Sequence, residues 1–343
     1  MNKIIVTFSL GSALLVSCTS NPTKDQVSSS KEEQVSSRIP ILFDTDANNE
    51  LDDQHALAYL LFNGETFDVR GVTVNATFSG GAIQEHYNEA ERILKLCNLD
   101  GIIPLYSGAN GNFEEIRNSL DQDEYDGKDA VEFTIQEARK PRDTRLVLMP
   151  VGKLTNIALA LEKAPDIKSR VRIVWLGSNY PEPGEYNQVN DIPALNYILD
   201  QVVQFEMVMV RYGKPSGSDA VRATPTEIEE KMPGAGPIST PVVGRHGKSF
   251  TNFGDYSVDL FRHIELHGDP PSRALFDMVA VAIVKNPSWG EANEIPAPIV
   301  EGEKWKERPK NSRKIVILEN FDRVAIIKDF YDKMKNPIIV EMK

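Results

Sequence analysis

Four aspartates lie within ten residues of one another in the segment DTDANNELDDQHALAYLL: Asp44, Asp46, Asp52 and Asp53. The segment follows an apolar run and leads into a stretch with helical spacing. Carboxylates this close repel one another and shift one another's pKa unless a cation neutralises them. Hard cations such as Ca²⁺ and Mg²⁺ prefer oxygen ligands, whereas Zn²⁺ prefers nitrogen and sulfur. The cluster therefore predicts a hard-metal site, and we expect Ca²⁺ because the chain begins like an exported protein.

Three other interpretations of the aspartate cluster stay open. An EF-hand loop would need Gly and Glu where Asn49 and His55 stand, and an apolar strand rather than a helix precedes the cluster. A phosphatase could use the first aspartate as a nucleophile, although Asn48 occupies a position where Thr or Val is usual. The purely structural interpretation is an acidic helix N-terminus that complements the helix dipole.

Short apolar runs rich in β-branched residues recur along the chain, each followed by a turn and a segment of helical spacing. Their continuous apolarity indicates strands covered on both faces, so we predict an α/β fold with a mainly parallel open sheet and helices on both faces. Ligands bind such sheets outside the carboxyl ends of the strands, where polar residues follow the runs. The runs begin at Ile39, Phe67, Ile102, Arg145, Val171 and Phe205.

Five segments carry a family resemblance, in order, across most of residues 39–343. They are the aspartate cluster and the stretches VTVNATFSGGAIQEHYNEAERIL, MPVGKLTNIALAL and WLGSNYPEPGEYNQVNDIPAL, followed by RALFDMVAVAIV. Asp-x-Asp and a later Asp-Asp pair resemble the N-terminal signature of the inosine-uridine-preferring nucleoside hydrolase family. The most specific similarity is the spacing of Asn179, Glu185, Tyr186, Asn187 and Asp191.

The resemblance implies a calcium-dependent enzyme that hydrolyses the N-glycosidic bond of a ribonucleoside or a related ribosyl N-glycoside. By resemblance the calcium ligands would be Asp46, Asp53, Asp277 and the backbone carbonyl of Val151, with Asp46 also the general base. The residues expected to bind substrate are Asp52, Asn75, Asn179, Glu185, Asn187 and Phe276. A small-molecule nucleoside is the expected partner, and family members usually form homo-oligomers.

The chain departs from the family pattern at two places. Residues 47–51 replace a Pro-Gly turn and make the loop before Asp52 two residues longer. Phe276 stands where many members keep a His that helps to protonate the leaving base, and a phenyl ring can stack but cannot donate a proton. A non-catalytic, calcium-dependent nucleoside- or sugar-binding lipoprotein is therefore the alternative. A lid containing His246, His263 and His267 could bring another acid to the base.

The N-terminus resembles a bacterial lipoprotein export signal. Residues 1–17 contain one Lys and a short apolar run, and Leu-Val-Ser precedes Cys18, which would be acylated. An ordinary cleaved signal and a buried apolar start are the alternatives. The Ser-rich, aromatic-free residues 18–38 predict a disordered tether, and residues 39–343 predict one catalytic domain. We expect a lipid-anchored protein of the bacterial cell envelope, in the periplasm or at the outer membrane.

Composition excludes one class of partner. The formal net charge is −12 at pH 7, and nucleic-acid backbones bind to basic surfaces, so we expect no nucleic-acid partner. If Cys18 is lipidated, Cys97 is the remaining thiol and an intramolecular disulfide cannot form. Folding must then depend on the apolar core.

Overall fold

The structure is a computed structural model that describes residues 38–342. The predicted signal, Cys18 and almost all of the predicted tether lie outside the described residues. The strands are β1 (Ile39–Thr45), β2 (Phe67–Val74), β3 (Leu105–Ser107), β4 (Leu146–Pro150), β5 (Val171–Leu176), β6 (Gln204–Val208), β7 (Arg222–Ala223), β8 (Val242–Val243), β9 (Ser249–Phe250), β10 (Arg273–Ala274), β11 (Glu291–Pro296), β12 (Ile299–Glu301), β13 (Lys304–Lys306) and β14 (Lys314–Glu319).

The helices alternate with these strands over most of the chain. They are α1 (Asp52–Leu61), α2 (Ile83–Leu96), α3 (Phe113–Ile116), α4 (Lys128–Arg139), α5 (Thr155–Lys163), α6 (Tyr186–Asn190), α7 (Ile192–Asp200), α8 (Pro225–Lys231), α9 (Phe253–His263), α10 (Phe276–Lys285) and α11 (Arg323–Lys335). Within residues 38–342, no helix combines the length and the apolar character needed to cross a membrane.

Eight strands form one sheet in the order β3-β2-β1-β4-β5-β6-β14-β11. Every neighbouring pair is parallel except β14 with β11, which is antiparallel. The predicted α/β fold with a mainly parallel sheet is confirmed, and the six predicted apolar runs correspond to β1 to β6. Strands β7 with β10, β8 with β9 and β12 with β13 form separate two-stranded ribbons.

The central strands bury both of their faces, which explains their continuous apolarity. In β1, Ile41 and Phe43 point into one core, while Leu42 between them points into the other. In β4, Met149 and Leu148 divide in the same way. Successive strand side chains point to opposite faces, so a strand covered on both sides needs apolar residues at every position. Helices therefore pack on both faces of the sheet.

The chain changes direction across the sheet between β1 and β4. Strands β2 and β3 extend the sheet on one side of β1, and β5 and β6 extend it beyond β4. The connections that leave these two strands diverge, which opens a crevice at their carboxyl ends where α/β proteins bind ligands. Asp44 and Asp46 follow β1, and Val151 follows β4, so the predicted site residues start at this crevice.

Candidate active site

A cavity of about 420 Å³ occupies this crevice. Most of the predicted site residues line it: Asp46, Asp52, Asp53, Val151, Glu185, Asn187, Phe276 and Asp277. Asn75 and Asn179 lie outside its lining. The structure thus brings residues from the ends of three strands and the starts of several helices to one cavity.

Three carboxylates meet in the depth of the cavity. Asp52 and Asp53 form the first turn of α1, and Asp277 lies in the first turn of α10, which packs against α1. All three side chains are buried, and one ligand oxygen from each lies within 4.8 Å of the others. Both helices thus direct their positive N-terminal ends toward the carboxylates, which stabilises negative charge there.

Burial and mutual repulsion raise the pKa of each of these carboxyl groups. Burial raises the pKa of Asp52 to about 7, with the Asp46 charge adding to the effect. The pKa of Asp53 lies well above its usual range, because of burial first and then the charges of Asp46 and Asp52. Burial and the charges of Asp52, Asp53 and Asp46 raise the pKa of Asp277 in the same way. The group carries more negative charge than the buried surroundings stabilise.

Asp46 lies beside this group, and one of its carboxylate oxygens accepts hydrogen bonds. Its Oδ2 accepts hydrogen bonds from Thr77 Oγ1 at 2.5 Å and from Asn49 Nδ2 at 3.3 Å. Among the described residues, no hydrogen bond engages Oδ1. Burial raises the pKa of Asp46 above its usual value, while the Thr77 hydrogen bond acts in the opposite direction. A positioned carboxylate with one free oxygen and a raised pKa is suited to accept a proton.

Asp44, two residues earlier, serves the fold rather than the cavity. Its buried carboxylate accepts hydrogen bonds from Thr73 Oγ1 at 2.6 Å, Asn75 Nδ2 at 2.7 Å and Asn156 Nδ2 at 2.7 Å. Burial raises its pKa to about 6, and the three donors oppose that rise. Asn75, predicted to meet ribose, thus ties β2 to β1, and its Oδ1 remains unpartnered beside Gly152.

Glu185 and Asn187 form the wall that faces the carboxylates. Glu185 caps α6 and accepts backbone N–H groups of Ser178 at 2.8 Å, Asn187 at 3.0 Å and Gln188 at 2.9 Å. Asn187 Nδ2 donates to the Val151 carbonyl at 2.7 Å. Burial raises the pKa of Glu185, and these backbone donors oppose the rise. The motif therefore presents a rigidly held carboxylate to the cavity.

Asn179 holds the loop that carries this motif. Its Nδ2 donates to the Gly184 carbonyl at 3.0 Å, and its Oδ1 accepts the backbone N–H of Tyr212 at 3.1 Å. Both functional atoms of the amide are therefore engaged in loop contacts. The predicted contact of Asn179 with ribose stays a prediction. In the structure, Asn179 contacts Tyr212, which lines the cavity.

The donor set fits a hard divalent cation. Two oxygens bound to one Ca²⁺ lie at most about 5 Å apart, because Ca–O distances are about 2.3–2.6 Å. The 4.8 Å limit on Asp52, Asp53 and Asp277 satisfies that condition. The Val151 carbonyl accepts from Asn187 and retains a second lone pair for a cation. A cation there would also offset the repulsion that raises these pKa values.

The outer wall combines the predicted residue Phe276 with residues that the sequence interpretation missed. Phe276 lies edge-on to Tyr212, with ring centroids 5.8 Å apart. Next to them, the guanidinium of the buried Arg273 pairs with Glu50, which comes from the lengthened loop. Nothing local to these residues signals a site, since each is a single side chain brought in by tertiary contacts. Other lining residues that were missed include Asn49, Tyr186, Asp219 and Arg222. His267, which the sequence analysis considered as part of a lid, also lines the cavity.

Both arginines of the outer wall are already engaged with acids. Arg222 Nη1 donates to Asp219 at 2.7 Å, and Arg273 pairs with Glu50. A phosphate clamp needs cationic donors that are free for the ligand. The paired guanidiniums therefore disfavour the phosphatase interpretation, and the strand that precedes the cluster disfavours the EF-hand.

The comparisons with known proteins agree with this geometry. The sequence pattern of the inosine-uridine preferring nucleoside hydrolase family matches residues 41–328. No curated protein gives a significant match to the chain.

Solved structures of nucleoside hydrolases share the fold. A plant nucleoside hydrolase superposes with a TM-score of 0.67 at 17% identity, covering 87% of this chain and 99% of that one. A purine-preferring ribonucleoside hydrolase from Gardnerella vaginalis gives 0.62 at 20% identity, covering 86% and 98%. An inosine-uridine preferring nucleoside hydrolase from Bacillus anthracis gives 0.62 at 15% identity, covering 87% and 99%.

The family match spans nearly all of the described domain and includes the cavity residues of α1, α6 and α10. The similarity of fold at low identity extends over the same region. The chain therefore belongs to the inosine-uridine preferring nucleoside hydrolase family, and it is a hydrolase that acts on N-glycosyl compounds.

Proposed function

We propose that this protein hydrolyses the N-glycosidic bond of a ribonucleoside or a related ribosyl N-glycoside, with Ca²⁺ bound by Asp46, Asp53, Asp277 and the Val151 carbonyl. The observation that carries the proposal is the group of buried carboxylates at the base of the cavity, opposite the carboxylate of Glu185. The family is metal-dependent, and the choice of Ca²⁺ rests on the oxygen-only donors. When bound, the cation would neutralise the carboxylates and bring water and ribose hydroxyls together.

Asp46 is the general base in this proposal. Thr77 and Asn49 hold one of its oxygens, which leaves the other to take a proton from the attacking water. Burial raises its pKa above the usual value in the metal-free protein, and the oxygen that Thr77 and Asn49 leave free is placed to accept the proton. The water adds to the anomeric carbon while the bond to the base nitrogen breaks, through a transition state with oxocarbenium-ion character.

The sugar would be held by Asp52, Glu185 and Asn187, all of which line the cavity. Carboxylate oxygens accept hydrogen bonds from ribose hydroxyls, and a well-held acceptor turns that binding energy into orientation at the anomeric carbon. Three backbone N–H groups fix the Glu185 carboxylate, so it needs little reorganisation on binding. A 2′-deoxyriboside should therefore be a poor substrate.

Base release tests the proposal. The full-length protein with Ca²⁺ is incubated with purine and pyrimidine ribosides, nicotinamide riboside and 2′-deoxy controls. We expect base release from ribosides, and Asp46→Asn should reduce it at least about 10²-fold because the amide cannot accept the proton. Asp166→Asn, at an exposed aspartate that pairs with Arg139, is the matched control and should retain activity. Calcium-dependent binding of ribosides without any base release would favour the binding-lipoprotein alternative.

We also propose that the protein is anchored to the cell envelope through an acylated Cys18 and that it forms a homo-oligomer. The Leu-Val-Ser-Cys sequence supports the anchor, and the family resemblance supports the oligomer. Cys18→Ser should move the protein from the membrane fraction to the soluble fraction. Light scattering of the purified Cys18→Ser protein measures the subunit number, and a monomeric mass would contradict the second proposal.

A further inference from the structure

Departure of the base is a step to which Phe276, at the family's histidine position, contributes no proton. When the C–N bond breaks, the electron pair stays on the base nitrogen, and most bases leave slowly as anions. A general acid that supplies a proton contributes about 10²–10⁴-fold to such a step. Phe276 occupies the start of α10 beside Tyr212 and has no acidic proton, so another residue must serve.

His267 lines the same cavity on its outer side. Its backbone forms a bridge to Ser272, with N–H to carbonyl distances of 2.9 Å in both directions. Arg222 donates to the Ser272 carbonyl at 3.1 Å, and β7 pairs with β10 beside it. This turn of residues 267–272 is therefore fixed to the ribbon that leads directly to Phe276.

The imidazole of His267 is available to contact a ligand, in contrast to the other histidines that the sequence analysis discussed. Among the described residues, no hydrogen bond involves the His267 ring, and the residue is exposed. His246 Nδ1 instead bonds Asp259 at 2.8 Å, and His263 Nδ1 bonds the Asp259 carbonyl at 2.7 Å. Neither of them lines the cavity. His55 is fully buried against Ser257 and Leu51.

We propose that His267 is the acid that protonates the leaving base, an assignment that rests on the proposed function. The imidazolium transfers one proton to a ring nitrogen of the base as the C–N bond breaks. The attacking water supplies the hydroxyl on the anomeric carbon and gives its own proton to Asp46. One water is consumed, neutral base and ribose are released, and solvent returns the protons of His267 and Asp46 to their starting positions.

The charged groups next to this turn occur largely as ion pairs. Arg222, which contacts the turn through the Ser272 carbonyl, pairs with Asp219, and Arg273 pairs with Glu50. Asp269 lies within the turn itself. Histidine is the side chain that most often serves as a general acid.

Two substrates that differ in their leaving group test the assignment. Inosine needs a proton on its base, whereas p-nitrophenyl β-D-ribofuranoside releases a phenolate without one. In the full-length protein with Ca²⁺, His267→Gln should lower kcat for inosine by about 10²-fold and leave kcat for the nitrophenyl riboside within about threefold. His263→Gln, another histidine of the same region, is the matched control and should change neither rate. Thermal melts verify that both variants fold.

The pH profile gives a second readout that a structural role would not change. With inosine, the rate of the wild-type protein should fall at alkaline pH because the acid must be protonated, and His267→Gln should lose that limb. An equal effect of His267→Gln on both substrates, or none on inosine, would overturn the assignment. So would a wild-type protein that cleaves only the nitrophenyl riboside. Failure of the wild-type protein to cleave either substrate, or any riboside of the panel above, would instead refute the proposed function.

Discussion

Replacing Asp53 by Asn should change stability in opposite directions with and without metal. Asp53 shares its surroundings with Asp52 and Asp277, within 4.8 Å. Two unit charges at that separation repel by about 3–4 kcal/mol at an effective dielectric constant of 20. The variant removes two such pairs and retains an oxygen for the hydrogen bond that Thr45 donates. Proton uptake already relieves part of the repulsion in the metal-free protein, so the net gain should be about 2–4 kcal/mol.

In EDTA at pH 8.5, where more of the carboxyl groups are ionised, Asp53→Asn should therefore melt several degrees above the wild-type protein. Saturating Ca²⁺ should reverse the order, because the ion stabilises the folded state according to its affinity and the variant lacks one ligand. Thermal melts followed by circular dichroism, with and without Ca²⁺, measure both effects. Asp166→Asn, at an exposed aspartate far from this group in sequence, should respond to neither condition differently from the wild type.

Two outcomes would refute this reasoning about Asp53. A variant that melts below the wild-type protein in EDTA would mean that the Thr45 hydrogen bond to the ionised carboxylate outweighs the repulsion. Equal stabilisation of both proteins by Ca²⁺ would remove Asp53 from the ligand set. In the second case, the remaining proposed ligands Asp46, Asp277 and the Val151 carbonyl would hold the ion without Asp53.

Three further changes test other parts of the site. Without metal, the free energy of unfolding should fall by about 4 kcal/mol as pH rises from about 4 to 7, because the pKa of Asp52 rises from 3.8 to about 7 on folding and the folded state holds the extra proton. Urea unfolding in EDTA measures this change. A rise in stability over that range would contradict it. Gly152→Ala should lower kcat by at least about 10-fold, since a Cβ there would stand 2.7 Å from Asp46 Oδ1 and displace Asp46, the proposed general base. Unchanged kinetics would contradict the position of that oxygen. Glu50→Gln, which removes the partner of Arg273, should change the ratio of rates between bases while leaving Ca²⁺ affinity within about threefold, measured by base release and calcium titration.

Most strands that the sequence predicted are apolar because both of their faces are buried. Strands β1, β2, β4, β5 and β6 lie in the interior of the sheet, and β3 forms one edge. Each of the six was recognisable as an apolar run, which at β3 includes Ile102 and Ile103 before the strand. Strand β11 was not, because it forms the antiparallel edge and leaves most of its side chains exposed. Its partner β14 lies far along the chain, after the helices that supply the site. The two-residue strands of the small ribbons are too short to show a period.

The site likewise combines residues that are close together in the sequence with residues that are distant from one another in it. Asp46, Asp52 and Asp53 stand together in the sequence, so their chemistry could be inferred from spacing alone. Asp277 comes from a helix more than two hundred residues later, and only the family resemblance pointed to it. The predicted contact of Asn75 with ribose stays a prediction, and in the structure its amide donates to Asp44 beside the cavity. Ion pairs and ring contacts in the outer wall depend on tertiary packing, which leaves no pattern in the sequence.

The two departures from the family pattern meet in one part of the cavity. Glu50, from the lengthened loop, pairs with Arg273, which stands three residues before Phe276, the position that lacks the usual His. The carboxylates of α1 and α10 are buried in the same cavity. Changes confined to the outer wall alter contacts with the leaving base and need not alter the metal or sugar. We therefore expect differences in the outer wall to act on the choice and release of the base.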